Sequence, residues 1–83
     1  MNITLKLYAS LGEYLPQEAQ RHALKVSVNN QDTPNGILKR FNVPHASIHL
    51  VLINGIYIEP AARERAEFKE GDTLAVWPPV AGG

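Results

Sequence analysis

The chain has 83 residues, with eight basic side chains against eight acidic ones, no cysteine, and hydrophobic residues making up 45%. That length holds one small domain with one core, and the balanced charge without a basic tract argues against binding to a phosphate backbone. The missing cysteines exclude disulfides, zinc-thiolate sites and a cysteine nucleophile; no apolar run is long enough to cross a bilayer and nothing reads as a signal peptide, so the expected location is cytoplasmic.

Ile3, Leu5 and Leu7 alternate with Asn2, Thr4 and Lys6. Period two in a β-rich run predicts a first strand with one buried face. Ala9 to Pro16 reads as a loop or a short helical turn, with Leu11, Tyr14 and Leu15 placed to cover a core edge. Gln17 to His22 is polar. Leu24, Val26 and Val28 alternate with Lys25, Ser27 and Asn29 and predict a second strand. The two strands are too far apart in sequence for a two-residue hairpin.

After a polar connection, Thr33-Pro34 marks a helix start, with Thr as N-cap and Pro at the first helical position. Ile37, Leu38 and Phe41 fall at helical spacing and form its buried stripe. Asn35 and Gly36 are poor helix formers, so the helix is expected to be short. Pro44 closes it, and Val43 before the proline is biased toward extended geometry. His49 to Ile53 is a nearly continuous apolar run, which suits a strand at the sheet centre or one covered on both faces. Asn54-Gly55 between Ile53 and Ile56 predicts a type I′ hairpin into Ile56-Tyr57-Ile58, broken by Pro60. Ala61 to Lys69 mixes Arg63, Glu64, Arg65 and Glu67 and reads as a solvated loop, with room for a short helical turn, anchored by Phe68. Gly71-Asp72 is a turn, and Thr73 to Trp77 is the last strand, stopped by Pro78.

The order β, β, α, β, β, loop, β does not alternate strand with helix. It predicts an α+β fold, one mixed sheet of about five strands packed on one helix. Residues 1–77 would form that domain, and residues 78–83 a flexible tail. The ending Trp77-Pro78-Pro79-Val80-Ala81-Gly82-Gly83 is more than the domain needs. Two prolines stop the strand; Gly82 and Gly83 have no Cβ and keep the end thin. Six residues from Pro78 onward span up to about 20 Å when extended. That length carries a terminal carboxylate into a partner's narrow channel while the body stays outside. The plain alternative is a frayed terminus.

The chain resembles the MoaD/ThiS family of ubiquitin-like, β-grasp sulfur carriers. The resemblance rests on Leu7-Tyr8-Ala9-Ser10-Leu11, on Leu52-Ile53-Asn54-Gly55 with Gly71-Asp72-Thr73-Leu74-Ala75-Val76, and on the ending from Trp77 to Gly83. It spans the whole chain and is strongest over the last thirty or so residues. The aromatic-Pro-Pro-Val-x-Gly-Gly ending is typical of the molybdopterin synthase small subunit, whereas carriers of thiazole synthesis share Gly-Gly but generally lack Pro-Pro. One position departs: family members often carry Arg after the Ala-x-Leu of the first loop, where this chain has Gly12.

The resemblance implies a β-grasp fold and a subunit that donates sulfur without being an enzyme itself. Gly83 is then the site of adenylation and of the thiocarboxylate, while Trp77, Pro78, Pro79, Val80, Ala81 and Gly82 meet the partners. No cofactor is implied for the chain; ATP is used by an E1-like adenylating enzyme, since the chain has no Gly-rich phosphate loop. A sulfur donor protein and the large subunit of molybdopterin synthase complete the partners, with neither nucleic acid nor membrane among them. A thioacid is more acidic than a thiol, so at neutral pH the loaded end is an anionic nucleophile. In molybdopterin synthase such a tail sulfurates a cyclic pterin precursor. Carriers for thiamine, cysteine or tRNA thiolation use the same tail chemistry. A ubiquitin-like modifier joined through Gly83 to a lysine is a rival reading, and an interaction module with an inert tail is another.

Other residues carry blander readings. Trp77 is either an outward anchor or a core residue; Leu74 and Val76 share one strand face and Ala75 and Trp77 the other. His45 and His49 are four apart, but Pro44 and the strand prediction argue against a helix there, and no metal site is expected. Glu59, Glu64, Glu67 and Glu70 have nothing apolar around them to shift a pKa and read as solvated. Lys6, Lys25, Lys39 and Lys69 are scattered and receive no role.

Overall fold

A computed structural model describes residues 1–80. In chain order the elements are β1 (Asn2–Leu7), β2 (Ala23–Ser27), α1 (Pro34–Arg40), β3 (Leu50–Ile53), β4 (Ile56–Tyr57) and β5 (Thr73–Trp77), with 3₁₀ turns at Ala9–Tyr14, His45–Ser47 and Pro60–Glu64. The strands form one sheet in the order β2-β1-β5-β3-β4. β1 and β5 are parallel, and every other pair is antiparallel. This is the mixed sheet with a single helix that the strand pattern predicts.

The alternation in β1 works as period two requires. Ile3, Leu5 and Leu7 are essentially inaccessible, and they share their face with Leu74 and Val76 of β5 and with Val51 of β3. Ile37 and Leu38 of α1 close this core from above, with Leu11 and Phe68 at its margins. Each buried aliphatic side chain contributes about 1.5–3 kcal/mol of transfer free energy, which a domain of this size needs.

α1 begins as expected: Thr33 Oγ1 accepts from the Gly36 N–H at 3.2 Å, and Pro34 sits in the first turn. Its end differs from the expectation that Pro44 closes it. Asn42 takes a left-handed φ of 63°. Its N–H donates to the Lys39 carbonyl at 2.9 Å and the Val43 N–H donates to the Leu38 carbonyl at 3.0 Å. That Schellman arrangement satisfies the last carbonyls before the proline is reached.

β3 is an interior strand of the sheet, but the expectation that both its faces are covered is corrected. β3 pairs with β5 on one side and the two-residue β4 on the other, and only Val51 is fully buried; Leu50 and Leu52 are half-buried. Its apolar run therefore reflects an apolar outer face rather than a second covering layer. The Asn54-Gly55 hairpin is as predicted: Ile53 pairs with Ile56, and φ is 52° at Asn54 and 81° at Gly55, as a type I′ turn requires.

The segment read as a solvated loop also differs. Phe68 is buried as expected, but so is Arg63, at 6% exposure. Its Nε donates to the Ile58 carbonyl at 2.9 Å and its Nη2 to the His49 carbonyl at 3.2 Å. The guanidinium lies 5.8 Å from the centre of the Tyr57 ring. Pairing with carbonyls at both ends of the β3–β4 segment is what allows a cation to be buried there. Asp72 is buried for a similar reason: its Oδ1 accepts from Asn54 Nδ2 and its Oδ2 from the Lys69 N–H, both at 2.8 Å. Asn54 Oδ1 in turn accepts from the Thr73 N–H at 2.9 Å, which ties the hairpin turn to the entry of β5.

Candidate functional site

The helix covers one face of the sheet and leaves the other open. Register places the residues of that outer face in rows. One row runs Ala23, Lys6, Ala75, Leu52, Tyr57 across all five strands. Trp77 and Leu50 are paired in the next row, toward the end of β5. The half of the face over β5, β3 and β4 is thus an apolar platform, with Tyr57 at 54% exposure.

Trp77 stands at the edge of this platform, on the face opposite Leu74 and Val76, as the alternation predicts. It is half-buried because Tyr8 lies flat against it: the ring centroids are 4.3 Å apart and the planes differ by 4°. The Tyr8 N–H donates to the Val76 carbonyl at 3.1 Å, and the His49 N–H donates to the Trp77 carbonyl at 2.9 Å. The last residue of β5 is held by a hydrogen bond from one neighbour and a ring from the other. Pro78 is half-buried beside it, Pro79 is exposed, and Val80 is 74% exposed. Ala81, Gly82 and Gly83, which carry the predicted reactive end, lie outside the described residues.

Tyr8 was not singled out by the sequence reading. Its signal is the period of β1 carried on past Lys6, which puts residue 8 on the outer face. What the sequence does not announce is that β1 and β5 are adjacent and parallel, so that residues 8 and 77 meet. Behind Tyr8 stacks His22, with centroids 6.2 Å apart. The Leu7 carbonyl accepts from His22 Nδ1 at 3.1 Å. This accounts for Gly12: a Cβ there would stand 3.0 Å from His22 Nδ1. The space that a side chain at position 12 would take is filled by the imidazole.

His45 and His49 are exposed, His45 in the 3₁₀ turn and His49 just before β3, and among the described residues no group of three His, Asp or Glu side chains is placed to hold a metal ion. Glu59, Glu64, Glu67 and Glu70 are exposed. Glu64 and Glu70 accept hydrogen bonds, from Asn35 Nδ2 at 3.3 Å and from the Asn2 N–H at 3.0 Å. The described residues thus place a partly exposed apolar face beside the strand that leads to the terminus.

The family model of Mut7-C ubiquitin matches residues 1–82. No curated protein matches the chain. Among solved structures, SAMP1 from Haloferax volcanii is similar at 24% identity over all of both chains, with a TM-score of 0.70. The HVO 2177 protein of the same organism is 23% identical over all of this chain and 87% of its own, with a TM-score of 0.77. A third similar chain comes from the complex of subunits 1 and 2 of molybdopterin-converting factor from Helicobacter pylori 26695, at 16% identity over all of both chains and a TM-score of 0.64. At these identities the likeness bears on the fold, which is the ubiquitin-like β-grasp.

Proposed function

The chain belongs to the Mut7-C ubiquitin family, and from that premise we propose that it is a ubiquitin-like sulfur carrier whose Gly83 is the cargo site. The observation that supports this most is the way β5 leaves the sheet. A strand paired on both sides is pinned at Trp77 and passes directly into Pro78 and Pro79, so the root of the tail is fixed. Residues 78–83 act as the tail, with Pro78 and Pro79 as an extended spacer.

In this reading an E1-like partner holds ATP. A Gly83 carboxylate oxygen attacks the α-phosphorus, pyrophosphate leaves, and an acyl-adenylate forms. The outer sulfur of a donor-protein persulfide then attacks the carbonyl carbon and AMP leaves, giving an acyl disulfide; a second thiol of the partner proteins attacks the donor's sulfur, the S–S bond breaks as a new disulfide forms, and Gly83 is released as a thiocarboxylate. The chain supplies no acid–base group to these steps. The acceptor we favour is a pterin precursor in molybdopterin synthesis: the Pro-Pro-Val-x-Gly-Gly ending and the likeness to a subunit of molybdopterin-converting factor support it. That likeness, within a two-subunit complex, also supports a protein partner, which we place on the outer face beside Trp77. A second reading, a ubiquitin-like modifier joined to a target lysine, is favoured by the likeness to SAMP1.

The test is the intact mass after incubation with the E1-like enzyme of the source organism, ATP and a sulfur donor. A gain equal to one oxygen-to-sulfur exchange, mapped to Gly83 and lost on deleting Gly82 and Gly83, is expected. Isopeptide adducts without the thioacid would transfer the assignment to the modifier, and an unchanged mass with active partners would overturn both.

A further inference from the structure

Two of the four lysines that look scattered in sequence, Lys6 and Lys25, are brought together by the β1–β2 pairing. Thr4 pairs with Lys25 and Lys6 with Ala23, so Lys6 and Lys25 are diagonal neighbours on the outer face, about 7–8 Å apart. Arg21 stands at the turn beside them. The three line one open groove of about 700 Å³, with Glu18 as its single acidic residue. Among the described residues the ion pair present is Arg40–Asp32, elsewhere on the molecule, so none of the three cations is neutralised. A chain of zero net charge has thus concentrated positive charge at one corner of its open sheet face. Two like charges placed diagonally work against the free fold, and an anion between them removes that repulsion.

This corner is continuous with the apolar platform. Lys6 pairs with Ala75, and Ala75 with Leu52, so two strand spacings, about 10 Å, separate the lysine from the leucine. A rigid protein surface covering the platform necessarily reaches the groove. We propose that the groove formed by Lys6, Arg21 and Lys25 is the polar half of the docking face, and that it takes an acidic segment of the protein whose apolar surface covers Leu50, Leu52 and Tyr57. Three cations in one corner are too few to follow a nucleic-acid backbone, whereas they match a short acidic stretch at the rim of a protein interface. The inference rests on a protein docking on the outer face; it does not depend on the cargo being sulfur.

The experiment is an NMR titration of the full chain with a short peptide alternating Glu with Leu and Trp. Its counterpart with Lys in place of Glu and a short single-stranded oligonucleotide serve as comparisons. The acidic peptide is expected to shift the amides of Lys6, Arg21 and Lys25 together with those of Leu52 and Tyr57, and to weaken as salt rises from about 50 mM to about 300 mM. The double variant Lys6→Glu/Lys25→Glu is expected to bind it about fivefold less tightly, the scale of two exposed ion pairs, whereas Lys39→Glu/Lys69→Glu is expected to match the wild type. Shifts confined to the apolar residues with both peptides would overturn the proposal, as would an absence of shifts. Tighter binding of the oligonucleotide at the groove would make it a nucleic-acid site instead. Since no sulfur chemistry enters the titration, its failure is distinguishable from failure of the mass test.

Discussion

The two faces of this sheet are made from the same strands and do opposite work. On the helix side the central register positions are aliphatic and inaccessible, Leu5 beside Leu74, Leu7 beside Val76 and Val76 beside Val51, while Leu24, Ile53 and Ile56 toward the sheet edges are less covered. On the open side the same strands carry Lys6, Ala75, Leu52 and Trp77, half-buried or, for Ala75, just inside the buried range. The closed face is finished within the chain; the open face holds apolar area that a single helix cannot cover. The comparison teaches that apolar character has two meanings in a small domain, and that period-two alternation alone does not separate them. Burial within the folded chain does.

The contrast is sharpest in paired truncations on neighbouring strands. Leu74→Ala, on the closed face, is expected to lose about 2–5 kcal/mol, a large share of the stability of a domain of this size. Leu52→Ala, on the open face, is expected to lose about 1 kcal/mol or less. Urea unfolding of the two variants measures the difference. Equal losses would mean that the open face is as much a part of the core as the closed one.

Much of the fold was legible because local rules and tertiary demands agree. The β1 alternation, the Thr33-Pro34 helix start and the Asn54-Gly55 turn are each specified by residues within a few positions, and each stands where predicted. Elements decided by distant partners were not legible. β3 reads as a strand covered on both faces because Leu50 and Leu52 are apolar, and nothing local says that their face is open. Arg63 sits in a run of charges, and its burial depends on carbonyls of Ile58 and His49 that only the folded β3–β4 segment presents. The candidate site divides the same way. Trp77 and the proline stop are visible in the sequence; Tyr8 and the Lys6–Lys25 corner require the strand order.

Arg63 offers the next-largest effect. Arg63→Met keeps the aliphatic stem but leaves the Ile58 and His49 carbonyls without their Arg63 donors, at a cost of about 1.5–3 kcal/mol for hydrogen bonds to a charged group. The loss is expected to appear in thermal unfolding, with amides of β4 exchanging faster than those of β1. A neutral result would show that water takes over both carbonyls and that the buried cation is incidental to the hairpin.

The smallest expected effect belongs to the Tyr8–Trp77 stack, and it separates a structural role from a positioning one. Both rings are half-buried on the open face, so neither is a core residue in the sense of Leu74. A double-mutant cycle with Tyr8→Leu and Trp77→Leu is expected to return a coupling of about 0.5–1.5 kcal/mol, the range of stacked aromatic pairs. If the stack positions the tail root, Tyr8→Leu lowers the rate of thiocarboxylate formation at Gly83 by more than its stability loss explains, with the variant still folded by its NMR spectrum. A Tyr8→Phe variant keeps the ring and is expected to restore the rate. If instead rate follows only folded fraction, Tyr8 belongs with the packing of the sheet, and control of the tail passes to Pro78 and Pro79 alone.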